Sequence, residues 1–324
     1  MLRGEHGRQV KELDRLVDWL AANGAPDVVC LSNALLLGLA RRIAQRLGSK
    51  VVCMLQDEDE YLDALPPEHR REAWEVLRRR AAEVGAFVAP SRFYAGVMGP
   101  RLGLAADRIH VVHFGVRTDD CGPADSAPQT PVVGFLQRIC HAKGADILAE
   151  AFAILKSDGR LPGARLRLAG GMIGADIEYV EGIRALLAGR GLADDVEFLP
   201  NLRRPERVEF LRSLSVLSVP ERRGEAAGRY VLEAMACGVP VVAPRNGASP
   251  ELLEATGGGL LCEPEDPRSL ADSLAEVLLD SPRAQALGAA GRAAVCEKFD
   301  IRHSARRFAE VCELTQPSSR KSEE

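Results

Sequence analysis

At 324 residues the chain is long enough for two domains, and its composition, with 46% hydrophobic residues, fits a soluble enzyme. A formal net charge of −4 excludes the global basic footprint of a nucleic-acid binder, and no apolar run approaches the length that spans a bilayer. Eight cysteines, at 30, 53, 121, 140, 237, 262, 296 and 312, show neither Cys-x-x-Cys nor metal-type Cys/His spacing, and no signal-peptide pattern opens the sequence. They read as reduced core thiols of a cytoplasmic protein.

The chain opens with a polar stretch, M-L-R-G-E-H-G-R-Q-V-K-E-L-D-R-L, that enters a helix. Strands are predicted at 27–31, 50–55, 86–89 and 109–114 with helices between them, an alternation that argues for a parallel sheet covered by helices. Within the first half, Arg70, Arg71, Arg78, Arg79 and Arg80 punctuate a helix with Trp74 and Leu77. Such a face can rest weakly on anionic lipid, but Glu68, Glu72, Glu75 and Glu83 dilute its charge and favour a solvated helix. The segment 121–130, C-G-P-A-D-S-A-P-Q-T, is rich in proline and small polar residues and reads as a linker.

After it come strands at 132–136, 165–169, 196–199, 214–219, 239–243 and 260–261, a second doubly wound domain. The run P-V-V-G-F-L-Q-R-I-C-H-A-K-G places Arg138 and Lys143 in the loop that leads from the first of these strands into a helix at 145–155. Two cations at a strand's carboxyl end can neutralise a diphosphate, arginine with two hydrogen bonds at once; taken alone they are two solvated surface charges. Further on, E-A-A-G-R-Y-V-L-E-A-M-A-C-G sets two carboxylates, Glu225 and Glu233, around the start of a helix at 229–237. Gly228 permits close approach to the backbone, and Gly238 closes the helix. The helix amino end suits a diphosphate, so Glu225, in the loop before it, is free to hold sugar hydroxyls instead. The bland alternative is a buried helix with an acidic loop. The strand that follows, V-P-V-V-A-P, carries the glycine-containing loop R-N-G-A-S-P-E at its carboxyl end, where open α/β sheets place ligands. Helices at 269–279 and 301–314 complete the order, and the tail 316–324, Q-P-S-S-R-K-S-E-E, is expected to be disordered.

The E-x7-E spacing with E-A-M-A-C-G-V-P-V-V-A resembles the donor motif of family 4 glycosyltransferases, retaining nucleotide-sugar enzymes of GT-B architecture, and the likeness runs over 26–314. The resemblance implies an α/β protein of two Rossmann-like doubly wound domains: an acceptor-side domain at 1–120, a linker at 121–130, a donor domain at 131–292 and a terminal helix at 293–315 that returns to the first domain. It implies that Arg138 and Lys143 bind the donor pyrophosphate and stabilise the departing nucleotide. Glu233 would hold the ribose, and Glu225 would sit near the transferred sugar. Gly170 and Gly171 fall on the family's glycine turn, and Gly228 and Arg229 on the donor helix. No metal or tightly bound cofactor is implied, only a nucleotide diphosphate-sugar as donor and a glycan, lipid or small-molecule hydroxyl as acceptor.

The chain departs from the family pattern in several places. Family members begin with a strand, a glycine-rich turn and two further strand–helix units. The first domain is therefore expected to be incomplete, through a late-set start or a shortened form, with a bare edge that invites self-association. Where many members carry a histidine after the second strand, this chain has Gln56, Asp57, Glu58 and Asp59, an acidic lip whose Asp57 and Glu58 are candidates for acceptor hydroxyls or simply a solvated loop. Ala227 and Arg229 replace a common aromatic and a usual aliphatic. Phe114 and Arg117 replace Asn and Asp around a kept Gly115, and His113 reads as a packed loop histidine. These changes keep open a non-catalytic nucleotide-binding or assembly protein, and more remotely a sugar-nucleotide epimerase or a phosphorylase.

Overall fold

A computed structural model describes residues 1–126 and 128–315; the tail expected at 316–324 lies outside them. The chain forms two compact units, one made of Met1–Phe114 with the residues from Arg302 onward, the other of Gly115–Ile301.

In the first unit four parallel strands, β1 (Val28–Leu31), β2 (Lys50–Met54), β3 (Ala86–Ala89) and β4 (Ile109–Val111), lie in the order of their numbers. β3 reads A-F-V-A and is buried throughout, as a parallel strand covered on both faces must be. The helix Ile301–Leu314 sets Val311, Phe308 and Cys312 against Val52, Ala86 and Val88 of this sheet and Val112 just after β4, and Ser304 Oγ donates to the His113 carbonyl at 2.8 Å. β1 ends the sheet and is only half-buried. Its Cys30 is exposed, so the expectation of uniformly buried thiols fails there; Cys53, Cys121, Cys237 and Cys262 are buried and the other three are half-buried. Arg80 also departs from the solvated face drawn for its helix. It is 7% exposed and binds Glu5 at 3.0 Å and Glu83 at 3.1 Å, a buried guanidinium paired by two carboxylates.

The second unit holds β5 (Val132–Leu136), β6 (Arg165–Gly170), β7 (Val196–Pro200), β8 (Val216–Ser218), β9 (Val241–Pro244) and β10 (Gly259–Cys262), all parallel, in the order β10-β9-β8-β5-β6-β7. The chain enters at the centre, winds outward to β7, then returns to β8 on the other side of β5. Loops from the carboxyl ends of β5 and β8 therefore leave in opposite directions and open a crevice. Phe135, Phe152, Leu166, Leu217 and Val241 fill the interior with no exposed surface. All ten strands expected from the sequence are present. The strands that shorten most are 109–114, which becomes Ile109–Val111, and 214–219, which becomes Val216–Ser218 because Leu214 still closes the preceding helical turn through its bond to the Leu211 carbonyl. Residues 121–122 are held on this unit by Arg292, which donates to the Cys121 carbonyl, and Arg212, which donates to that of Gly122, both at 2.9 Å.

Candidate active site

Two backbone contacts shape the crevice of the second unit. Gly144 ends the turn after β5 with φ +72°, and a Cβ there would lie 2.0 Å from the Pro220 carbonyl oxygen. Only glycine fits both the left-handed backbone and the approach. The contact presses the β5 loop onto the β8 loop, and Arg222 fastens it: its amide donates to the Ala142 carbonyl at 3.1 Å and its guanidinium grips Asp146 at 2.6 and 3.0 Å. Gly170, at φ +159°, packs equally closely, since a Cβ would fall 1.7 Å from the Gln137 carbonyl oxygen.

Lys143 thereby meets two carboxyl groups of the β8 loop. Its Nζ donates to Glu225 Oε2 at 2.9 Å and stands 3.1 Å from Glu221 Oε1. Glu225 has 11% of its side chain exposed and Glu221 4%. Burial works against the Lys143 charge, but the two glutamates outweigh it and push its pKa up. Burial raises the Glu221 pKa and its contact with Glu225 adds to the rise. Glu225 is also penalised by burial, yet its hydrogen bond with Glu221 and the Lys143 ammonium bring it below the usual range.

The same unit holds a cavity of about 490 Å³, lined among others by Gln137, Gly170, Gly171, Asn201, Arg207, Arg229, Tyr230 and Glu233, and Tyr230 lies near Glu221 and Glu225 of this cluster. The helix Arg229–Ala236 starts from Gly228, left-handed at φ +62°, whose Cβ would meet Leu252 Cδ1 at 2.5 Å. Gly238, at φ +74°, follows its end. Glu233 accepts from Arg229 Nε at 3.1 Å and from Arg207 Nη2. One carboxylate between two arginines keeps its orientation and retains lone pairs for hydroxyls.

The structure thus brings Lys143 to Glu225, and Gly170, Gly171, Arg229 and Glu233 to one cavity. Arg138 does not line the cavity: Asp176 holds its guanidinium with two bonds of 2.9 and 3.0 Å, and Asp176, whose own pKa Arg138 lowers, also accepts the Ile173 amide. The acidic lip of the first unit needs correction. Glu58 is 3% exposed and accepts the Ala34 amide at 2.6 Å, the Gln56 amide at 2.7 Å and the Tyr94 hydroxyl at 2.9 Å. It ties loops together from inside rather than standing on an exposed lip; Asp57, with left-handed φ of 57°, remains exposed. The sequence reading missed Glu221, Asn201 and Arg207. For Glu221 a signal existed, a carboxyl four residues before Glu225 in P-E-R-R-G-E. For Arg207, 26 positions from Glu233, local spacing held none. Among the described residues no three His, Cys, Asp or Glu side chains are grouped to hold a metal ion, and no helix is long and apolar enough to cross a membrane.

The family model described as Glycosyl transferases group 1 matches residues 120–294, and that described as Glycosyltransferase Family 4 matches 2–120. A GDP-mannose-dependent alpha-(1-6)-phosphatidylinositol monomannoside mannosyltransferase of Mycobacterium tuberculosis is 32% identical over 306 residues, 88% of this chain and 72% of the relative. A D-inositol 3-phosphate glycosyltransferase of Acidothermus cellulolyticus is 36% identical over 194 residues, 56% of this chain and 43% of the relative. Among solved structures, Anabaena Alr3699/HepE in complex with UDP shares the fold with a TM-score of 0.82 at 21% identity, over 96% of this chain and 84% of that one. With two parallel-sheet α/β units and these relatives, the chain belongs to the glycosyl transferases group 1 family and is a glycosyltransferase of GT-B architecture.

Proposed function

We propose that the protein moves a sugar from a nucleoside diphosphate-sugar to a hydroxyl acceptor with retention of configuration, and that it does so without a bound metal. The observation that carries this reading is the Lys143 ammonium held at the carboxyl ends of β5 and β8, in the same unit as the cavity that Glu233 lines. A departing nucleoside diphosphate gains negative charge, and a cation brought to where that charge develops lowers the barrier. Lys143 supplies it. Arg138 joins when its guanidinium exchanges Asp176 for phosphate oxygens, a swap of like acceptors. Glu233 binds the ribose hydroxyls, while Glu225 orients the sugar next to the scissile bond. The relative named for GDP-mannose supports a guanosine donor and a lipid-linked or inositol-bearing hydroxyl as acceptor. The solved structure that holds UDP supports a uridine donor.

Thermal melting with GDP and with UDP tests the donor site, because a ligand that binds only the folded state raises Tm by mass action. The expected result is a shift with one of them that survives added chelator and is mostly lost in the double variant Arg138→Ala, Lys143→Ala. An undiminished shift in that variant rejects the diphosphate assignment, and strict dependence on magnesium rejects the metal-free mechanism.

A further inference from the structure

The β8 loop carries a carboxyl group to which the proposed mechanism gives no task. Glu221 is 4% exposed, and its Oε1 lies 3.1 Å from Lys143 Nζ without the alignment of a hydrogen bond. Glu225 takes the aligned bond from the same ammonium at 2.9 Å. The backbone of Glu221 is fixed, its amide donating to the Val219 carbonyl at 2.9 Å and its carbonyl accepting from Asn246 Nδ2 at 3.0 Å. From the helix Arg229–Ala236 the Tyr230 phenol faces the pair, with a pKa far above any working pH because it is buried near both carboxyls. The neighbouring Arg222 is turned to Asp146.

We propose that Glu221 is a positioning residue that holds the one proton of the Glu221–Glu225 pair, so that a single negative charge retains Lys143 and the ammonium stays free to move to the donor diphosphate. The inference rests on the diphosphate reading of Lys143. One ammonium neutralises one carboxylate, and a second buried carboxylate beside it would stand uncompensated. Two carboxyls sharing a site do not both ionise readily; their protons leave in steps that belong to the pair. Geometry selects which is the acid. Glu225, with the aligned bond, is the anion, and the less exposed Glu221 keeps the proton. When rising pH removes that proton, two carboxylates hold Lys143, and its transfer to a diphosphate becomes less favourable. Donor affinity therefore falls on the alkaline side. A glutamine at 221 has the same shape and never ionises.

Isothermal titration of GDP and UDP into the full chain and into Glu221→Gln, Glu221→Asp and Lys143→Ala, from pH 6.5 to 9.5, tests this. The ratio of the wild-type Kd to the Glu221→Gln Kd cancels the titration of the ligand itself. It should climb severalfold across the range, and Glu221→Asp, which still ionises, should retain an alkaline loss. A flat ratio overturns the proposal. If Lys143→Ala leaves binding intact at every pH, the diphosphate reading fails; if Lys143→Ala abolishes binding while the ratio stays flat, only the role of Glu221 fails. Carboxyl-carbon NMR of the wild-type protein decides the point independently of ligand or variant folding: a Glu221 carboxyl that titrates above neutrality supports the proposal, and one that titrates near the ordinary glutamate value overturns it.

Discussion

Gly144 is a single residue on which the geometry of the donor cluster depends. A methyl group there meets the Pro220 carbonyl at 2.0 Å in a backbone conformation that disfavours side chains, so Gly144→Ala should destabilise the protein by about 1–3 kcal/mol. It should also weaken nucleotide binding, since Lys143 and Glu221 would no longer meet. Chemical denaturation and isothermal titration on the same variant check both effects. The two glutamates of E-x7-E should separate in the same way. Glu233→Gln loses a charged bond to Arg207 and Arg229 and should cost nucleotide affinity by ~1–3 kcal/mol. Glu225→Gln should spare the free nucleoside diphosphate and damage turnover; equal loss of nucleotide binding in both variants contradicts the division of roles. Asp146 supplies a pH test. Burial opposes its charge, but Arg222 and Tyr179 outweigh it and depress its pKa. A depressed carboxyl stabilises the fold above its unfolded value of about 3.9, and that contribution disappears as pH falls below it. Asp146→Asn should therefore be less stable than wild type at pH 7, with the gap in Tm closing toward pH 3.

At the scale of elements, the sequence was most legible where local chemistry decides the structure. The helix Arg229–Ala236 lies between two left-handed glycines, and its residues favour helix, so motif, start and stop could be read together. Apolar runs such as V-V-G-F-L and V-V-A-P mark strands buried on both faces. What escaped the reading is long-range. Glu58 looks like one of four polar residues in a loop, and its inward turn depends on Ala34 and Tyr94, 24 and 36 positions away. Arg138 and Lys143 share one loop, yet the partner of Arg138, Asp176, comes from the turn after β6, 38 positions away. The terminal helix makes a further prediction. Val311 is 5% exposed against Val52, Ala86, Val88 and Val112, so Val311→Asp, burying a carboxylate with no partner, should destabilise the first unit by about 3 kcal/mol or more. A melting curve unchanged by the substitution would mean that the helix does not hold that sheet.

For the whole molecule, the two units have separate sheets and separate interiors, and every residue assigned to the donor belongs to the second. The fragment 115–301 should therefore fold by itself and bind the same nucleoside diphosphate as the full chain, while transfer of sugar requires both units. The central claim is that this chain transfers sugar with retention through a cation held at the β5–β8 crevice. Its most direct test is the anomeric proton signal of the product, followed by NMR while the protein is incubated with GDP-mannose or a UDP-sugar and an inositol-bearing acceptor. The account predicts a product with the donor's own anomeric configuration, formed in the presence of chelator and lost in Lys143→Ala. An inverted product, or turnover indifferent to Lys143, would contradict it.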